Sequence, residues 1–276
     1  MPQAEPLALG GVQRTLLLPL WGRAVESGRP RPLLTDPAAV AIVASLPYDF
    51  AAMGRNLSSV TRLSWVARSV HVDRTARAFL DVHPGAAVVN LGCGLDTTFE
   101  RVDNGKLRWF DLDLADVIAL RRRLIPGGDR RRAIAGSILD DAWKSEIEPR
   151  DPVLLIAAGV LYYFRQDEVR TLLSGLARAF PGAEMIFDAC SPLGRKIANR
   201  RVIAAGGMDA GARLRWGIRR AKEMEAWDPR IAVIESYPMF RGLRRDMSLA
   251  ETAGTLLSDM LNIMFMARLR LGPDAH

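Results

Sequence analysis

Two hydrophobic periods alternate along this chain. Between Ser58 and Leu80, the residues Val60, Leu63, Ala67, Val70 and Phe79 recur at helical spacing, which predicts a long amphipathic helix ending near Pro84-Gly85. Short, nearly unbroken apolar runs follow at Val88–Leu91, Val153–Ala157 and Met185–Ala189, as suits strands buried on both faces of a parallel sheet. Arg108–Asp113 and Arg132–Ala135 read as further strands, and Gln166–Phe180 as a helix. Strand and helix taken in turn predict an α/β fold, Rossmann-like, with a doubly wound, mostly parallel sheet and right-handed crossovers.

The flanks of this core break the rhythm. Met1–Gly11 is small and proline-bearing and is expected to fray. Val12–Glu26 reads as a helix stopped by Gly28-Arg29-Pro30-Arg31-Pro32, and Thr35 or Asp36 with Pro37 opens another that runs through Ala38 to Ser45. Residues 1–84 thus form an N-terminal helical cap ahead of a core at 85–190. Ser191–Asp228 is long for a connection and reads as a helical lid, residues 191–229, over a substrate. Trp216 and Trp227 are either walls of that substrate pocket or packed beneath a surface helix. In residues 230–276, strands at Ile231–Phe240 and Asn262–Leu271 flank a helix at Ser248–Ser258 and complete the sheet as an antiparallel pair.

Candidate chemistry gathers where the first strand ends. The run Val88-Val89-Asn90-Leu91-Gly92-Cys93-Gly94-Leu95-Asp96 turns a buried strand toward a helix through two glycines, whose backbone lets a ligand approach the peptide groups closely. About twenty residues on, a second strand ends in Asp111-Leu112-Asp113, where nucleotide-binding α/β folds place the acid that grips a ribose. The two carboxylates alternate with a leucine and point to one side of the strand. Thr97 stands where a dinucleotide fingerprint needs a third glycine, which favours an adenosyl ligand without phosphates over a pyrophosphate cofactor. S-adenosylmethionine fits that description.

These stretches, with Trp109-Phe110-Asp111-Leu112-Asp113-Leu114 and Val117-Ile118-Ala119-Leu120-Arg121, resemble the leucine carboxyl methyltransferase family, on the side of the polyketide O-methyltransferases. The similarity runs from Trp21-Gly22-Arg23-Ala24 to the strand at Phe187-Asp188. It implies a class I S-adenosylmethionine-dependent O-methyltransferase that releases S-adenosylhomocysteine. Site roles follow by resemblance. Gly92, Cys93, Gly94 and Asp96 form the cofactor turn, with Asp113 as the ribose acid and Leu114 beside it. Ser137 and Ile138 line the adenine, Ser137 also being readable as a cap for a helix at Ile138–Trp143. Arg68, in an Arg-x-x-x-x-Asp pattern completed by Asp73, contacts the cofactor carboxylate, and Arg23 matches a basic family position. A plain Arg68–Asp73 ion pair is the competing reading. Ala158-Gly159-Val160-Leu161-Tyr162-Tyr163 matches the motif after the fourth strand with one departure, since relatives carry glutamate at position 158. That loss of a charge-assisted bond to the cofactor ammonium is worth about 1.5 to 3 kcal/mol. Thr98 is a second departure, at a position where the closer branch has arginine.

Composition narrows the classes. The chain has 276 residues, 49% of them hydrophobic, enough for a substantial core. Its formal charge of +7 raises the question of nucleic acid, but the basic residues are scattered among acids apart from Arg121-Arg122-Arg123 and Arg130-Arg131-Arg132. Those runs read as solvated helix ends and loops, and sparse aromatics argue against stacking on bases. Two cysteines at unrelated positions give no disulfide framework and no metal-ligand spacing, as expected of a cytoplasmic protein. No secretory leader and no bilayer-spanning run is read, so no membrane partner is expected; a homodimer stays open.

Methyl transfer to oxygen needs in-line positioning more than covalent chemistry, and proximity contributes about 7 to 11 kcal/mol. A carboxylate acceptor needs no base, whereas a phenol with a pKa near 10 does. His71, one turn beyond Arg68, is the candidate base, against a neutral packed imidazole. Tyr162 and Tyr163 are read as acceptor-orienting groups or as pocket walls. The expected activity is O-methylation of a small carboxylate or hydroxyl, polyketide-like or another secondary metabolite. The alternatives are carboxyl methylation of a protein C-terminus and a non-catalytic scaffold that kept the fold.

Overall fold

The structure is a computed structural model that describes residues 13–55, 57–148, 152–204 and 210–272. The segment expected to fray, Met1–Gly11, lies outside the described residues, as do 205–209 of the expected lid.

Seven strands form one sheet in the order β3-β2-β1-β4-β5-β7-β6. These are β1 (Ala87–Leu91), β2 (Arg108–Asp113), β3 (Arg131–Ala135), β4 (Val153–Ala157), β5 (Glu184–Cys190), β6 (Ile231–Pro238) and β7 (Met264–Leu271). The first five run parallel, while β7 is antiparallel to both β5 and β6. Burial explains the sequence pattern. Every residue of β1 and β4 is buried, because helices cover both faces of the sheet centre, whereas edge strand β6 alternates between core and solvent. The order reverses between β1 and β4, which opens a crevice at the strands' C-terminal ends.

Nine α-helices among the described residues surround the sheet: α1 (Leu17–Ser27), α2 (Pro37–Ser45), α3 (Phe50–Gly54), α4 (Ser59–Val82), α5 (Thr98–Val102), α6 (Ala115–Leu124), α7 (Gln166–Ala179), α8 (Pro192–Ala198) and α9 (Leu249–Met260). Local chemistry starts them where the sequence indicates. Asp36 accepts from the Ala39 N–H at 2.9 Å with Pro37 in the first turn, and Ser58 accepts from the Thr61 N–H at 3.1 Å. Leu63, Val66, Ala67, Val70 and Phe79 of α4 pack over Val88, Trp109, Leu154 and Ile186 on one face of the sheet. On the other face, α7 packs over Val89, Leu155 and Phe187. Two elements differ from expectation. Ile138–Trp143 forms no α-helix, the chain making a turn and then a 3-10 helix at Ala142–Glu146. The helix after the glycine turn is only α5, five residues long.

The arginine runs are not simply solvated. Asp111 is buried under the sheet end, where it accepts from Trp109 Nε1 (2.8 Å), Arg121 Nη2 (3.0 Å) and Arg131 Nε (2.8 Å). One member of each run is therefore committed to the interior, tying α6 and β3 to β2. Arg130 pairs with Asp103 and Arg132 with Glu146 at the surface. A second network joins the front helices. Asp36 holds Arg23 and Arg101, each at 2.8 Å, and Arg101 reaches Asp73 at 2.7 and 2.9 Å. Removing one partner from such a buried cluster costs about 3 to 5 kcal/mol by stranding a charge.

Candidate active site

A cavity of about 590 Å³ opens over the C-terminal ends of β1, β2 and β4. Its floor is the glycine turn. Gly92 and Gly94 have φ of 65° and 49°, and a Cβ on Gly92 would lie 2.5 Å from Val160 Cγ2, so the turn admits no side chain there. The turn is held from outside. The N–H groups of Gly92 and Cys93 donate to the Leu112 carbonyl at 2.8 and 3.1 Å, Arg121 Nη1 donates to the Gly94 carbonyl at 2.8 Å, and Arg23 Nη2 to that of Leu95 at 2.9 Å. The turn is thus fixed in position, with Val160 packed directly against Gly92.

Two carboxylates reach this floor. Asp113 accepts from the Gly94 N–H at 2.7 Å and the Leu114 N–H at 2.8 Å, and its desolvation outweighs those bonds and pushes its pKa up. Asp96 accepts from Asn90 Nδ2 and from the N–H and hydroxyl of Thr98, each at 3.1 Å. Burial alone would raise its pKa, but the guanidinium groups of Arg23, Arg101 and Arg121 hold it down to about 2. Cys93 also faces the cavity. Burial pushes its thiol well up, so it stays a neutral wall and not a nucleophile.

Arg68 enters from α4. It does not pair with Asp73, which Arg101 occupies. Instead Arg68 Nη1 donates to Asp188 Oδ2 and to the Tyr162 hydroxyl, both at 3.1 Å, while Asp188 Oδ1 accepts from the Gly159 N–H at 2.6 Å. The guanidinium lies flat against Gly159, where a Cβ would meet it at 2.5 Å. Asp188, which holds Arg68 in place, was not singled out by sequence reasoning; its signal is an acid among the buried residues of β5.

The sequence candidates therefore converge. Gly92, Cys93, Gly94 and Asp96 line the cavity with Asp113 and Leu114, as do Ser137 and Ile138 beyond β3 and Ala158 and Gly159 beyond β4. Arg23, Arg68, Tyr162 and Tyr163 complete that wall. The Ser137 hydroxyl accepts from the Leu139 N–H at 3.1 Å, closing a tight turn in place of the expected helix cap. Tyr163 donates to Thr15 Oγ1 at 3.1 Å, and burial raises the pKa of both tyrosines, so each keeps its proton.

His71 is not among the cavity residues. Its Nε2 lies 2.9 Å from the Met239 carbonyl, its ring packs edge-on to Tyr237, and burial lowers its pKa to about 4. A neutral imidazole donating to a carbonyl is a packed histidine and not a base. Trp216 is likewise buried in the main core with Trp227 at 6.2 Å, and neither forms a wall of the cavity.

This fold and this site define a class I S-adenosylmethionine-dependent methyltransferase: a left-handed glycine turn after the first strand, an acid at the end of the second and a buried arginine meet around one cavity. The family model of the leucine carboxyl methyltransferases matches residues 17–177, and the chain belongs to that family. It is 32% identical to the tetracenomycin polyketide synthesis O-methyltransferase TcmP of Streptomyces glaucescens over 236 residues, covering 85% of this chain and 86% of that one. It is 29% identical to the S-adenosyl-L-methionine-dependent methyltransferase dpfgK of Gibberella zeae, covering 93% of each. The crystal structure of a DUF574 family protein from Streptomyces avermitilis shares the fold, with a TM-score of 0.61 at 14% identity over 93% of this chain and 97% of that one. No helix of the described residues is long and apolar enough to cross a membrane.

Proposed function

We propose that this methyltransferase is an O-methyltransferase whose acceptor is a lipophilic small molecule presenting a carboxylate. The observation that carries this reading is the make-up of the cavity wall beyond the cofactor turn. Leu16, Leu18, Ile197, Val202, Ile203 and Leu214 make it apolar, Arg68 and Arg201 supply cationic groups, and no imidazole is present among the described lining residues. A phenol would need a base to take its proton, and Tyr162 and Tyr163 are both held in the protonated form. A carboxylate arrives ionised.

S-adenosylmethionine, when bound, supplies a methyl group on a positively charged sulfur. The chain's own task is to hold both reactants and keep water out. Asp113 would hold the ribose, Ser137 and Ile138 would flank the adenine, and Arg68 would offer its guanidinium to the methionine carboxylate. The described part of the proposed lid contributes α8 and the π-helical turn Asn199–Ala204, which carry Ile197, Val202 and Ile203 into the wall. The wall's part would be to hold an ionised acceptor oxygen in line with the methyl group, the sulfur leaving as a neutral thioether, so that no proton would have to move.

The test is transfer of radiolabelled methyl from S-adenosylmethionine to matched aryl carboxylic acids and phenols between pH 6 and 9. Base-labile esters formed at a rate flat with pH are expected. Ethers formed at a rate that climbs with pH would assign a hydroxyl acceptor. Calorimetry showing no cofactor binding would remove the enzymatic reading altogether.

A further inference from the structure

Helix α9 is packed with its polar side inward. Glu251 and Thr255 are 9% and 0% exposed, whereas Leu249, Leu256 and Met260 are 92%, 45% and 81% exposed. Ion pairs fix this orientation. The Glu251 carboxylate lies 3.0 Å from Arg29 and 3.9 Å from Arg62, the Thr255 hydroxyl accepts from Arg244 Nε at 3.2 Å, and Asp259 pairs with the same arginine. A helix on the surface of a globular domain turns its apolar stripe to the core. Here both carboxylates of the helix are committed inside, and the leucines are left outside.

The stripe has a direction. Leu249, Ala253, Leu256 and Met260 follow the helical repeat along the solvent side, and Leu257 and Leu261 carry the apolar surface round to the cavity, which they line. Cations outnumber acids at its borders, where Glu223 is exposed and Asp246 pairs with Arg31. Exposed Arg245 sits just ahead of the Ser248 cap; beyond the other end, Asn262 Nδ2 donates to the Arg219 carbonyl at 3.0 Å, which sets exposed Arg219 and Arg220 beside it. Gly194 of α8 abuts the Ile263 carbonyl, where a Cβ would lie 1.9 Å away, so Leu193 and Lys196 extend the same border.

We propose that this face seats the protein peripherally on an anionic lipid surface, with α9 at the headgroup boundary and the cavity mouth turned toward the apolar layer. α9 carries no cation of its own, so the two parts of an interfacial seat are divided: its leucines and methionine supply apolar burial, and the arginines of the flanking segments select anionic lipid. A second copy of the chain fits less well. A two-fold contact across the stripe would set cationic border against cationic border, with the carboxylates of α9 turned away. The seat needs no particular acceptor, but it delivers membrane-dissolved molecules to the mouth of the cavity.

Cosedimentation of the full chain with vesicles tests this, using phosphatidylcholine alone and phosphatidylcholine mixed with phosphatidylglycerol. The parent is expected to bind the anionic vesicles, less the neutral ones, and less again in about 1 M salt. The double variant Leu256→Glu, Met260→Glu should bind the anionic vesicles about tenfold more weakly or worse. Both positions lie on the solvent side and away from the cavity lining, so its thermal midpoint and S-adenosylmethionine affinity should match the parent's. A parent that stays in the supernatant with anionic vesicles overturns the proposal, and so does a double variant that binds them equally well. A parent dimer that the variant dissolves, without vesicle binding, would assign the stripe to a second copy.

Discussion

Replacing Arg68 by methionine separates the structural from the cofactor-binding share of this residue. In the folded protein its guanidinium is the only described counter-charge on fully buried Asp188, at 3.1 Å. Methionine fills much the same space without charge, so the Asp188 carboxylate is left with the Gly159 N–H alone. Stranding a buried charge in this way costs about 3 to 5 kcal/mol, which in a chain of this size lowers the thermal midpoint by roughly 5 to 15 °C. If Arg68 holds the methionine carboxylate as proposed, cofactor affinity should fall as well, by about 1.5 to 3 kcal/mol or roughly ten- to 150-fold, the worth of a charge-assisted bond. The second substitution makes the test decisive. In Arg68→Met, Asp188→Asn no charge is stranded, so most of the thermal stability should return while S-adenosylmethionine affinity stays low. Calorimetric titration beside thermal unfolding of parent, single and double variants measures both quantities. If affinity returned together with stability, Arg68 would be a structural ion-pair partner and its assigned grip on the cofactor would be wrong.

Two further predictions concern single positions. Ala158→Glu restores a carboxylate in the cavity wall and should tighten S-adenosylmethionine binding about five- to a hundredfold; unchanged or weaker affinity in a folded variant would mean that the methionine end is held differently. His71→Gln should flatten the acid side of the stability profile. Burial lowers the folded pKa of His71 to about 4 from 6.5, so the unfolded chain binds the extra proton between those values, and stability present above pH 6.5 is lost as pH falls toward 4. Urea unfolding at pH 7 and 4.5 should show the parent losing about 2 to 3 kcal/mol more than the variant, and equal losses would contradict the assigned burial.

What was legible in the sequence is what local chemistry alone decides. The glycine turn and Asp113 are fixed by backbone conformation and by distance along two adjacent strands, and both lie where their spacing puts them. Partners are another matter. Arg68 and Asp73 stand five positions apart on α4 and look like a pair, yet they bond in different directions because α5 brings Arg101 to Asp73 and β5 brings Asp188 to Arg68. Charge runs mislead for the same reason. Arg121 and Arg131 resemble their solvated neighbours in composition, and only the fold shows that both converge on Asp111. The inward polar face of α9 was equally hidden, since the arginines that hold Glu251 come from positions 29 and 62.

The two departures from the family pattern can now be told apart by the same accounting. Beside Thr98, Arg101, one turn on in the same helix, reaches Asp73, Asp36 and the Thr98 hydroxyl itself. The front network closes without an arginine after Thr97. Position 158 has no such substitute. Asp188 beneath it spends one oxygen on Arg68 and the other on the Gly159 N–H, and Asp96 and Asp113, the carboxylates among the described lining residues, lie at the ends of β1 and β2. A charge that a network lacks can be supplied by a neighbouring turn of helix, because the network only requires that charges meet. A charge that a ligand lacks cannot be moved in this way, because the ligand fixes where it must stand. On the proposed reading of the site, Ala158 is thus the departure that would bear on the cofactor itself.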